Sequence, residues 1–129
     1  MKNEFVPYDI ALAMKELGFD EPCLAGYYIT DGNGNPKNGE FKVDSFSEQY
    51  SNTASAPLYQ QAFRWFREKY GIHASNDIDF GGDIYSFHLL SKNFKPKQRK
   101  NGKLTITEDT YEEAELACLR KLIEIVKEK

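Results

Sequence analysis

The stretch IHASNDIDFGGDIYSFHLLS, residues 72–91, decides the fold, because two runs rich in isoleucine and aromatic residues flank the pair Gly81-Gly82. Consecutive glycines accept the left-handed conformations that a two-residue hairpin turn requires. With that turn, Phe80 faces Asp83, and the register continues Ile78 with Tyr85, Asn76 with Phe87 and Ala74 with Leu89. This face is largely apolar. The other face pairs Asp79 with Ile84, Asp77 with Ser86, Ser75 with His88 and His73 with Leu90, so both histidines of the chain share a side with two aspartates and two serines. A slip of one residue would exchange the faces, so the composition of each depends on the turn.

Helices flank this hairpin. Before it, PLYQQAFRWFREKYG (57–71) has Pro57 at its start and Gly71 at its stop, with Leu58, Tyr59, Ala62, Phe63, Trp65, Phe66 and Tyr70 on one arc and Gln60, Arg64, Arg67 and Glu68 opposite. That is the stripe of a core-facing helix, with Trp65 and Phe63 at its edges and Lys69 intruding on it. After the hairpin, Asp109 with Glu112 and Thr110 with Glu113 both offer capping boxes to YEEAELACLRKLIEIVKEK (111–129). Apolar side chains cover more than half of its circumference, so it is expected to be the most buried helix. A further helix is expected from Pro7 to Leu17, ended by Gly18, with Phe19 folding back on Met14.

Between the first two helices, LAGYYIT (24–30) and FKVDSF (41–46) read as strands around a long loop, DGNGNPKNGE, with SEQYSNTASA as a polar connection. The segment LTIT (104–107) is a further short strand candidate. The order is α-ββ-α-ββ-(β)-α, which implies an α+β fold with three helices and one antiparallel sheet of four to five strands. At 129 residues, a single domain over 1–129 is expected.

Composition narrows the function classes. The chain is 40% hydrophobic and 29% charged, with no apolar run of membrane-spanning length and no secretory leader pattern at its start, so a cytoplasmic location is expected. Cys23 and Cys118 stand far apart without metal-ligand spacing; Cys118 falls on an apolar helix face, and Cys23 stays open. The net charge is -3, yet KNFKPKQRKNGK (92–103) holds six basic residues and no acid. Within it, Lys95, Lys97, Arg99 and Lys100 are candidates to neutralise phosphates, with Phe94 able to stack on a base. A solvated loop is the plainer account of such a charge run.

The chemistry-bearing patterns are few. Asp31, Asn33 and Asn35 begin like a calcium loop, but Pro36 replaces the glycine and Lys42 the bidentate glutamate, so the pattern fails. No phosphate-cradling glycine motif and no nucleophile elbow is present. On the hairpin, His73, Asp77 and His88 form a possible polar cluster with acid-base or metal chemistry, although the outer face of an antiparallel sheet is normally polar.

Taken together, NEFVPYDIALAMKELGFDEPC (3–23), APLYQQAFRWFREKYGIH (56–73) and TYEEAELACLRKLIEIVK (110–127) resemble a family of small uncharacterised proteins encoded by gut anaerobic bacteria, their phages and prophages. That family has no assigned activity, so the resemblance carries over no catalytic residue and no cofactor. It implies a mobile-element setting, in which an accessory protein more often binds than catalyses.

The leading expectation is a cytoplasmic accessory or binding module, not an enzyme, that contacts a protein or nucleic-acid partner and needs no cofactor. One alternative is a metal-assisted hydrolase built on His73, Asp77 and His88. Another is a structural homo-oligomer, since eight Tyr, nine Phe and one Trp approach the 21 Leu, Ile and Val and leave aromatics to spare for an interface.

Overall fold

A computed structural model describes residues 2–46, 50–78, 85–90 and 103–127. The chain divides into two compact units, Met1–Ala62 and Phe63–Lys129.

The first unit opens with a 3-10 turn at Lys2–Glu4 and helix α1, Tyr8–Glu16, which Pro7 precedes. Ala11 N–H donates to the Pro7 carbonyl at 2.9 Å, so the proline carbonyl begins the helical ladder. The helix ends as the sequence implies. Phe19 N–H donates to the Met14 carbonyl at 2.9 Å and Gly18 N–H to the Lys15 carbonyl at 3.0 Å, the bond pair of a Schellman stop, and Met14 and Phe19 are both buried.

Strands β1 (Cys23–Thr30), β2 (Pro36–Phe46) and β3 (Thr53–Ser55) form an antiparallel sheet in the order β2-β1-β3. Two features differ from the sequence expectation. β2 starts at Pro36, inside the expected loop, because the Asp31 carboxylate accepts the N–H groups of Asn33 and Asn35 and closes the turn early enough for Pro36 to pair with Thr30. The polar-looking TAS is a strand: Thr53, Ala54 and Ser55 pair with Tyr28, Tyr27 and Gly26 and are all buried. Its small side chains lack the bulk that marks a strand in sequence.

Adjacent tyrosines on β1 separate as a pleat demands. Tyr27 is 2% exposed, donates its hydroxyl to the Val6 carbonyl at 2.7 Å, and packs its ring 5.4 Å from Tyr8 and 5.3 Å from Phe41. Tyr28 is half-buried on the other face, edge-on to Phe46. That face is covered near Gly26 by the Phe46 ring, which follows an irregularity in the register between Cys23 and Ala25. From α1, the Lys15 ammonium donates to the backbone carbonyls of Tyr50 and Thr53, lashing the helix to the start of β3.

Helix α2, Tyr59–Tyr70, contains the boundary between the units. Gly71 N–H donates to the Arg67 carbonyl at 3.0 Å, a left-handed stop. Ala62, Trp65 and Phe66 are buried, as a core-facing stripe requires. The intruding Lys69 is accounted for by its neighbours, because its Nζ lies 4.9 Å from the Trp65 ring centroid and 5.6 Å from that of Tyr70.

The second unit holds β4 (His73–Ile78), β5 (Tyr85–Leu90) and β6 (Lys103–Glu108), antiparallel in the order β4-β5-β6, and helix α3, Tyr111–Lys127. The β4-β5 register has Ile78 with Tyr85, Asn76 with Phe87 and His73 with Leu90, as the glycine-pair turn implies; the turn itself, 79–84, lies outside the described residues. α3 packs on β5 and β6. Tyr111 meets the Tyr85 ring at 6.0 Å and the Phe87 ring at 5.8 Å, and Phe63 stacks on Phe87 at 5.6 Å.

α3 buries eight side chains, more than either other helix among the described residues. At its N-terminus Thr110 Oγ1 accepts from the Glu113 N–H at 3.1 Å, so of the two candidate caps Thr110 makes the bond. Thr110→Ala is expected to cost about 1 kcal/mol in urea denaturation, and Asp109→Ala less than half of that. Equal losses at the two positions would contradict the assignment of Thr110 as the cap.

Among the described residues the architecture is therefore α+β with three α-helices, but the expected single sheet of four to five strands is two sheets of three. β3, which the sequence expectation read as a polar connection, takes the second edge of β1. Among the described residues no helix is long and apolar enough to cross a membrane.

Candidate functional site

The pleat of β4-β5-β6 arranges its residues in rows. His73 pairs with Leu90 and Leu90 with Lys103; Ser75 pairs with His88 and His88 with Thr105; Asp77 pairs with Ser86 and Ser86 with Thr107. These three rows alternate with the rows of Phe87 and Leu89, which are buried, so they belong to the outer face. His73, Ser75, Leu90 and Thr107 are exposed there, and Ser86 and His88 are half-buried. The Ser86 and Thr107 hydroxyls lie 3.3 Å apart.

His73, Asp77 and His88 thus share a face, as the sequence implies. They occupy three different rows, and His73 stands exposed at the strand end. Among the described residues no three His, Cys, Asp or Glu side chains converge closely enough to hold a metal ion. Lys95, Lys97, Arg99 and Lys100 lie outside the described residues, but the ends of their segment are fixed by chain connectivity. Leu90 ends β5 and Lys103 begins β6, and the two are paired in the row that His73 completes. The row of described residues that flanks the basic segment thus belongs to the histidine face.

Charge is partitioned between the units. Met1–Ala62 has four basic against nine acidic residues, a net of -5, and Phe63–Lys129 has 13 against 11, a net of +2.

Neither cysteine is equipped for nucleophilic chemistry. Burial pushes the Cys118 thiol up to about 12, with the Glu115 carboxylate adding to the effect. Burial, then the charge of Glu21, pushes Cys23 to about 12 against a weaker opposing effect of the hydrogen bond that its Sγ donates to Gln61 Oε1 at 3.8 Å. Gln61 is itself held, donating to Glu21 Oε1 at 3.2 Å and to the Pro22 carbonyl at 3.1 Å. A thiol that holds its proton so far above neutrality supplies almost no thiolate. The Asp31 carboxylate is likewise engaged, accepting two backbone N–H groups and the Asn35 amide, and those bonds hold its carboxyl below the usual value. Its oxygens serve the turn.

The one group that the sequence reading passed over is Glu115. It is 9% exposed on α3, and burial first, then the charge of Glu112, raises its carboxyl to about 7. The signal was present in the spacing: Tyr111, Glu115, Cys118 and Leu122 succeed one another at steps of four, three and four, which is one stripe of a helix. Only a count of apolar positions hid it.

Comparison with protein-family models, with curated proteins and with solved structures found no match to this chain.

Proposed function

We propose that the chain is a small cytoplasmic binding module, of the accessory kind found in phages and prophages, that engages nucleic acid through the segment 92–103. The observation that carries this reading is the row His73–Leu90–Lys103, from which the most basic stretch of the chain departs and to which it returns. The net positive charge of Phe63–Lys129, in a chain that is acidic elsewhere, supports it. A local excess of Lys and Arg neutralises phosphates and releases their counterions, so affinity depends steeply on salt.

Fluorescence anisotropy with a labelled single-stranded oligonucleotide tests the reading. The full chain binds at about 50 mM salt, and its affinity falls log-linearly as salt rises. Replacing Lys95, Lys97, Arg99 and Lys100 together by Gln lowers that slope by up to about 3, at about 0.7 per phosphate contact on a single strand. Absence of binding by the unaltered chain at low salt overturns the reading.

A further inference from the structure

β2 is the outer strand of its sheet, and among the described residues no strand pairs with its second edge. Which backbone groups reach that edge follows from the other side of β1. Ala56 N–H donates to the Ala25 carbonyl at 2.9 Å and Ile29 N–H to the Asn52 carbonyl at 2.8 Å, so Ala25, Tyr27 and Ile29 turn their backbone groups toward β3. Neighbouring residues of a strand turn theirs to opposite edges, so Gly26 and Tyr28 bond to their β2 partners, Lys42 and Glu40. Phe41 and Val43 are left with N–H and C=O directed at the open edge.

Register irregularities on either side, with left-handed backbone at Asn38 and Gly39, leave Glu40–Val43 as the regular run of this edge. Bulges and charges are the devices that keep edge strands apart. Here, however, the charges alternate in sign. Glu40 and Lys42, both exposed, point to one face, and Phe41 and Val43 to the other. Such a run complements itself when a second copy approaches antiparallel, across a two-fold axis through Phe41. Glu40 then lies opposite the partner's Lys42, and Lys42 opposite the partner's Glu40. Those are the non-hydrogen-bonded positions, where cross-strand side chains come closest. Phe41 N–H donates to the carbonyl of the partner's Phe41, and the reverse bond forms by symmetry. A shift of two residues either way sets Lys42 against Lys42 or Glu40 against Glu40, so charge selects the register.

We infer that the free edge of β2 pairs with β2 of a second copy of this chain, joining two three-stranded sheets into one of six strands. Tyr27 and Phe5 seat the Phe41 ring at 5.3 and 5.8 Å, so the run is held in place before the copies meet. The pairing does not depend on the nucleic-acid reading.

Sedimentation velocity of the full chain over a range of concentrations tests the pairing, and the unaltered chain forms a reversible dimer. Glu40→Lys and Lys42→Glu each set like charges across the axis and weaken dimerisation about tenfold. The two variants move the net charge in opposite directions, so a loss in both cannot come from overall charge. The double variant, Glu40→Lys with Lys42→Glu, restores dimerisation to within about threefold of the unaltered chain. An equimolar mixture of the two single variants dimerises more tightly than either alone. Circular dichroism establishes that each variant is folded, and the gain in the mixture cannot arise from unfolding. A chain that stays monomeric at about 1 mM overturns the inference and leaves the edge to an extended segment of another protein. A dimer indifferent to the single variants, or a double variant no tighter than the singles, overturns it as well.

Discussion

Glu115→Gln is expected to raise stability by about 2 kcal/mol at pH 8 and by about a quarter of that at pH 5. The side chain sits on the stripe that α3 turns inward, and its carboxyl titrates at about 7 in the folded chain against an ordinary value of 4.5. A carboxyl whose value is raised by folding contributes stability that is fully present below about 4.5, where both states hold the proton. That contribution is lost as pH rises through about 7, where the folded state must bury a charge. A shift of this size corresponds to roughly 3 kcal/mol, and residual solvent contact reduces it to about 2. Glutamine, which cannot ionise, removes the pH dependence across that window. Urea denaturation of both proteins at pH 5, 6.5 and 8 measures it, and a difference that does not grow with pH would falsify the account. Because Glu112 is the second cause, Glu112→Gln should recover a smaller part of the same gain.

Gly39→Ala is expected to cost about 3 kcal/mol, whereas Gly34→Ala, in the adjoining turn, costs about 1. Both glycines have left-handed backbones, with φ of 79° and 84°. A side chain pays the conformational penalty at either. They differ in surroundings: a Cβ at Gly39 would lie 2.5 Å from the Tyr8 ring, and one at Gly34 would meet nothing within 4 Å. Tyr8 cannot withdraw cheaply, since its ring packs 5.4 Å from Tyr27, whose hydroxyl is bonded to Val6. The excess of Gly39 over Gly34 in thermal or urea denaturation therefore reports how firmly α1 is seated on the β1-β2 hairpin. Equal costs would show that the ring yields.

The parts of this structure that were legible in sequence are those governed by neighbours in the chain. The Gly18 stop with Phe19 folded on Met14, the Thr110 cap and the Gly71 stop each rest on bonds spanning five residues or fewer. The β4-β5 register was legible because one turn fixes every pair beyond it. Thr53–Ser55 was not, since its place depends on β1, some 27 residues earlier, and three small residues show no alternation. The Lys15 lash to Tyr50 and Thr53 spans 35 and 38 residues and leaves no local mark. Of the candidate site, the shared face of His73, Asp77 and His88 followed from the register, which places them in three successive rows.

Helix α2 has a consequence for how the chain can be taken apart. Its 12 residues contribute four, Tyr59–Ala62, to one unit and eight to the other. Four residues are barely one turn, and a turn closed without its continuation fixes several dihedral angles for a single hydrogen bond. During synthesis Met1–Ala62 emerges first, but its last turn cannot persist until Phe63–Tyr70 has followed. Fragments meant to isolate either unit must therefore be cut outside α2, and each must carry the whole helix.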